Sequence, residues 1–292
     1  MKKSSADSPR KPVRAGKRGL IFVLLLLVVL PIGEILAGVL VAPTVVFLSD
    51  KNRTGRLIIR NPGSDPKEVE IRMGFGLPES DSLGNVRVSL LDSAVTDPHS
   101  AMDWIKPFPR KLVLPPGGNQ TVRFVATPPR DLPDGEYWAR VVVKSQESQV
   151  VMPSATNEEG ISTNLNMIMQ TAISLKYRKG NLYSKLELTD ARATLKDSRV
   201  NVLVDLINRG NVSYIGVLNC RLTDADNNEL SNQRIDLAVY YDLKRNVVLP
   251  ISGLRPKPPY NVEIFITNDG RTDIEPKDRI RGNEIKYSLT VE

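Results

Sequence analysis

The sequence predicts an all-β protein of two sandwich domains in tandem, set behind an N-terminal apolar segment. Three observations predict it. Short runs rich in β-branched and alternating apolar residues recur along almost the whole chain, with hardly a helical segment between them. The 21 prolines and 19 glycines are scattered between those runs rather than clustered, as turns between strands require. The 292 residues are enough for about two domains of ordinary size.

The N-terminal segment comes first. Residues 1 to 18 hold seven Lys or Arg against the single acid Asp7, so six of the seven excess charges precede the strand-rich part and the remainder is nearly neutral. A nucleic-acid binder would need its basic residues on a folded face, so that class is not expected. Residues 20 to 33 are an apolar run of 14, followed by Glu34 and a second apolar stretch to Ala42. A basic head, an apolar run of that length and a small residue after it predict an export signal over residues 1–37, cleaved near Ala37. The alternative is an uncleaved anchor reaching to about residue 42, with Glu34 inside the bilayer at roughly 3 kcal/mol and Pro31 breaking its helix. Membrane contact is expected only if the segment is retained.

Beyond it, strands are predicted at residues 44–48, 56–60, 68–75, 86–90, 112–114, 121–127 and 137–144, separated by Asn61-Pro62-Gly63, Pro115-Pro116-Gly117 and Pro133-Asp134-Gly135 turns. The stretch 154–160 is acidic and polar and reads as a loop leading into a long strand. In that strand, over residues 165–177, the odd positions Leu165, Met167, Met169, Ile173, Leu175 and Tyr177 are apolar, with only Thr171 interrupting. Strands average about 5 to 6 residues, so this one is expected to run past the sheet that holds it. Some seven or eight strands in this span fit an immunoglobulin-like sandwich over residues 38–178. A second series, at 185–189, 192–195, 200–207, 214–222, 229–237, 246–249, 262–267 and 285–291, predicts another over residues 179–292.

The chemistry of the common enzymes is missing. His99 is the only histidine and Cys220 the only cysteine, so neither a His-centred triad nor a His/Cys metal site is signalled. No phosphate-binding glycine loop occurs. We therefore expect no enzyme activity, no cofactor and no small-molecule substrate. Cys220 alternates with Leu218 and Leu222 and reads as a small buried hydrophobe; no intrachain disulfide is available.

Four stretches carry a family resemblance: Leu57-Ile-Ile-Arg-Asn-Pro62; Pro109-Arg-Lys-Leu-Val-Leu-Pro-Pro-Gly117 with Thr121-Val-Arg-Phe124; Leu132-Pro-Asp-Gly-Glu-Tyr-Trp138; and Gln170-Thr-Ala-Ile-Ser-Leu-Lys-Tyr-Arg178. In order and spacing they resemble the PapD-like periplasmic chaperones of the chaperone-usher pilus pathway, over about residues 40 to 180. The resemblance implies a periplasmic protein of two immunoglobulin-like domains, whose partners are pilin-like subunits and an outer-membrane usher. It implies that the long strand completes an unfinished pilin by strand addition, with Leu165, Met167 and Met169 in the donor row. Family members hold the pilin's terminal carboxylate with an Arg on the first strand and a Lys on the long strand. Thr44 and Ser174 stand there in this chain, so Lys176, with Arg53 or Arg56, is the expected substitute. For the family's interdomain ion pair, Arg178 matches the Arg, with Glu136 or Asp134, and Asp269, as its acids. The alternative function is a structural or adhesive envelope protein of two such domains, held in the inner membrane by residues 20–42 and facing the periplasm.

Overall fold

The computed structural model describes residues 38–91, 95–148, 167–252 and 257–292. The export signal expected over residues 1–37 falls outside these, whereas the end of the anchor expected to about residue 42 falls inside them, and there residues 40–42 are strand rather than membrane helix. Among the described residues no helix is long and apolar enough to cross a membrane. The only helical element there is a single 3-10 turn at Pro276–Asp278.

The first domain is built of β1 (Leu40–Ala42), β2 (Val45–Ser49), β3 (Thr54–Arg60), β4 (Lys67–Gly74), β5 (Pro78–Ser80), β6 (Val86–Val88), β7 (Ile105–Phe108), β8 (Lys111–Leu114), β9 (Asn119–Ala126), β10 (Gly135–Glu147) and β11 (Met169–Lys179). One sheet has the order β1-β3-β9-β7 and the other β2-β11-β10-β4-β8, while β5 and β6 form a separate hairpin. Period-2 alternation closes the sandwich. Leu57 and Ile59 on β3, Val122 and Phe124 on β9, Val141 and Val143 on β10, and Ile173, Leu175 and Tyr177 on β11 share one core. Tyr137, near the start of β10, donates from its hydroxyl to Pro133 O at 2.8 Å, the tyrosine corner of immunoglobulin-like sandwiches.

The second domain comprises β12 (Leu186–Lys196), β13 (Arg199–Asn208), β14 (Tyr214–Thr223), β15 (Glu229–Val239), β16 (Asp242–Pro250), β17 (Tyr260–Thr267) and β18 (Ile285–Val291). Its sheets are β12-β13-β16 and β15-β14-β17-β18. Cys220 is fully buried in their shared core, where burial pushes its thiol up to about 12. The two stretches expected at 185–189 and 192–195 are one strand, β12, with a bulge between Leu188 and Asp190 that resets the alternation. Strands β1, β5 and β7 are additional to the sequence expectation, and β11 is assigned from Met169 rather than Leu165.

Both domains turn a corner on an asparagine, fully buried in the first and partly buried in the second. Asn61 Nδ2 donates to Asp65 O, Leu114 O and Pro115 O, and its Oδ1 accepts from Gly63 N. Asn208 repeats this with Val212 O, Tyr240 O and Gly210 N.

Contacts of several kinds join the domains besides the chain itself. Phe75, Met102 and Trp138 of the first domain form a small apolar cluster with Tyr240 of the second. The β5–β6 hairpin reaches across as well. Gly84 O accepts from Asn246 N at 3.1 Å, Ser80 Oγ accepts from Lys244 N at 2.8 Å, and Val86 packs on the second core. Gly84 has φ +76, and a Cβ there would lie 2.5 Å from Asn246 N, so both backbone and space demand glycine.

Candidate functional site: a free strand edge and the cluster behind it

Strand β11 lies between β10 and β2, but its two neighbours cover unequal lengths. On one side β10 pairs with all of it, from Gly135 opposite Lys179 to Ser145 opposite Met169. On the other, β2 runs parallel along Ser174 to Arg178 only. The outer edge of Met169 to Ile173 therefore has no strand partner among the described residues, which is the template that an added strand needs.

The odd row follows the same division. Ile173, Leu175 and Tyr177 are buried in the first core, whereas Met169 is 41% and Met167 45% exposed. Ile168 is exposed on the other face. Leu165 lies outside the described residues. Fully burying a methionine side chain contributes about 1.5 to 3 kcal/mol, so covering these half-exposed ones would contribute roughly 1 kcal/mol each. Gly38 passes over Met169, the position of its missing Cβ lying 3.6 Å from Met169 Cβ.

Behind the edge, the even positions of β10 and β11 face the second domain. The Glu136 carboxylate is fully buried there and accepts from Lys176 Nζ at 2.8 Å, Arg178 Nε at 2.7 Å, Trp138 Nε1 at 2.9 Å and Ser213 Oγ at 2.5 Å. Burial raises its pKa, but the charges of Lys176 and Arg178 outweigh that and hold the carboxyl at about 2. Arg178 also donates from Nη1 to Asp278 O at 2.5 Å and stacks over Phe47. Lys176 additionally donates to Ser213 Oγ and lies over the Tyr240 ring. The ion pair itself is thus contained in the first domain, and it reaches the second through Ser213 and the Asp278 carbonyl.

The expected acids separate at this point. Of Glu136, Asp134 and Asp269, only Glu136 pairs with Arg178. Asp134 turns to the hinge, where its Oδ2 accepts from Asn181 N at 3.0 Å beside Gly180; Gly180 has φ +67, and a Cβ there would overlap that carboxylate. Asp269 sits in the turn after β17, its N–H donating to Thr267 Oγ1.

The expected carboxylate anchor needs correcting too. Lys176 is buried and committed to Glu136, because even positions of β11 face the second domain rather than open solvent. Arg53 pairs with Asp50, which also accepts from the Tyr177 hydroxyl on the opposite face of β11 from Lys176. Arg56 is on the solvent face of the other sheet, opposite Arg123. The three do not converge. A cation that the sequence reading missed stands beside Ser174: Arg140, its register partner on β10, donates from Nη1 to Ser174 Oγ at 2.5 Å and from Nε to Gly76 O at 2.7 Å. No sequence signal marked it, because its place beside Ser174 follows from the pairing of β10 with β11, with Tyr137 opposite Tyr177.

His99 is also structural in its surroundings. Its ring stacks on Trp138 at 4.8 Å and shares a 2.8 Å hydrogen bond with Tyr241 Oη, which in turn donates to Asp97. Burial lowers its pKa against the opposing pull of Asp97. Among the described residues no His, Cys, Asp or Glu group could hold a metal ion.

No protein-family model matches the chain, and no curated protein is similar to it in sequence. Solved structures similar to it include chaperones. They include the YadV chaperone, at 15% identity over 87% of this chain and 99% of that one, with a TM-score of 0.43. They include the SafB chaperone in complex with the SafA pilin of Salmonella enterica, at 15% identity, 87% and 97% coverage and a TM-score of 0.42. A third is the Class 5 fimbriae chaperone CfaA, at 13% identity, 87% and 99% coverage and a TM-score of 0.40.

Proposed function

We propose that this chain is a periplasmic chaperone that lends the open end of β11 to pilin-like subunits and passes them to an outer-membrane usher. The observation that supports the reading is the half-covered strand. From Met169 to Ile173, β11 offers backbone hydrogen-bonding groups on one edge, and the half-exposed Met167 and Met169 stand in the row that continues its core-facing residues. An incoming chain that lacks a final strand has the complementary need, an apolar groove with an unpaired edge. Two methionines suit grooves of more than one shape, being flexible and polarisable. Leu165 extends the row in the sequence. Arg140, half-buried beside Ser174, is the cation we assign to the client's terminal carboxylate in place of Lys176, Arg53 and Arg56, because its Nη2 makes no hydrogen bond among the described residues while its Nε and Nη1 are held in place.

The test is Met167→Glu, made in the full chain and co-expressed with a pilin-like subunit that the wild-type chain captures. In the free protein the new carboxylate is solvated, so the thermal unfolding curve should match that of the wild type while co-purification of the subunit is lost. A variant that unfolds alone, or that still captures the subunit, would place the row in this protein's own packing and end the donor-strand reading.

A further inference from the structure

The solvent face of the sheet β1-β3-β9-β7 carries an arrangement that the strand-lending reading does not use. Side chains of Arg56, Arg60, Arg123 and Lys106 all point outward there, and none makes an ion pair or side-chain hydrogen bond among the described residues. Arg56 and Arg123 are direct cross-strand partners, a pairing of like charges that is unfavourable by itself. The four strands contain no Asp or Glu to relieve it. Between the cations stand exposed apolar side chains: Leu40 opposite Arg60, Ile58 opposite Ala42, Val125 opposite Lys106, and Phe108, 75% exposed, opposite Arg123.

We propose that this face rests on an anionic phospholipid bilayer surface. Interleaved cations and apolar groups match that boundary in both respects: guanidinium and ammonium groups meet lipid phosphates, while Phe108, Ile58 and Leu40 enter the headgroup–acyl region. Chain connectivity favours a bilayer over an acidic protein. Residues 1–37 hold seven Lys or Arg and a 14-residue apolar run, so a chain that keeps them as its anchor enters this face at β1 three residues after a segment suited to a membrane. The inference is independent of strand lending by β11.

Both domain cores and the cluster between them lie within residues 46–291, so residues 38–292 contain every buried contact of the described fold and can be tested without the leading segment. The assay is co-sedimentation with vesicles of phosphatidylglycerol and phosphatidylcholine, against vesicles of phosphatidylcholine alone. Binding should require phosphatidylglycerol and weaken as salt is raised. Each cation near the surface is worth about a fivefold gain in partition, so Arg56→Glu with Arg123→Glu should lower binding about 25-fold or more, and Phe108→Ser should weaken it without changing the salt dependence. Should the charge reversal disturb folding, Arg60→Gln with Lys106→Gln gives the same reading with a milder change. Absence of binding to anionic vesicles at low salt, or equal binding by a folded charge variant, overturns the proposal. Binding to polyglutamate without binding to vesicles also overturns it and assigns the face to an acidic polypeptide.

Discussion

Glu136→Gln replaces the buried carboxylate by a group of the same shape without its charge. It leaves Lys176 and Arg178 without their counter-charge, one of them fully buried. Two routes give the size of the effect. Removing one partner of a buried ion pair costs about 3 to 5 kcal/mol. The carboxyl is held at about 2 against an ordinary 4.5, and at about 1.4 kcal/mol per pH unit that displacement is worth roughly 3 kcal/mol. The agreement predicts a fall in melting temperature of about 6 to 10 °C for a cooperative body of this size. The pH dependence has a definite sign. Because the folded pKa is depressed, this stability is complete above about 4.5 and is lost as pH falls towards 2. Thermal unfolding followed by circular dichroism between pH 7 and 2.5 measures both, and the variant should lack the acid-side loss. Adding Lys176→Met to Glu136→Gln removes the stranded ammonium and should recover part of the loss. A melting temperature within about a degree of the wild type at pH 7 would refute the reasoning, since it would mean that Lys176 and Arg178 find water or another acceptor when the carboxylate is gone.

Gly84→Ala forces a left-handed φ on a residue with a Cβ, at about 1 to 2 kcal/mol, and meets the Asn246 backbone besides; faster amide exchange at Lys244 and Asn246 is the expected readout, and unchanged exchange would show the hairpin to be loosely seated. Cys220, buried and with its thiol pushed up to about 12, should resist thiol-directed labelling in the folded protein and react only on unfolding; rapid labelling under native conditions would contradict its place in the second core. His99 has its pKa lowered chiefly by burial, so the unfolded chain takes up a proton first and stability should decline as pH drops below about 6.5; His99→Gln should remove that part of the slope between pH 7 and 5, and an identical slope would show that the ring titrates freely.

Much of the fold was legible because alternation is a local property. Runs such as residues 200–207 and 285–291 place apolar side chains on every second position, and the strands found there share the expected boundaries to within a residue. Strands β1, β5 and β7 were not legible, since three or four residues do not establish a period and Pro78 and Pro107 speak against a strand. The long strand was read correctly in its alternation, while its partners were not readable: that β2 begins only opposite Ser174 depends on where the chain before it changes sheets. The cluster was half legible. Arg178 and Glu136 could be named, but the commitment of Lys176 to the same carboxylate and the distance of Asp269 follow from how the domains meet, which no short-range pattern encodes. Ser213 and Arg140 matter only through neighbours 77 and 34 residues away.

The β5–β6 hairpin alters the mechanics of the molecule. Two bodies joined by a single flexible connection swing like a gate. These two are fastened both at Gly180, beside Glu136 and Ser213, and again where Ser80 and Gly84 meet Lys244 and Asn246. Rotation about either fastening pulls the other apart, so the pair behaves as a braced bracket with little slack. A torque applied to the second domain is then carried into the first instead of being dissipated in the connection.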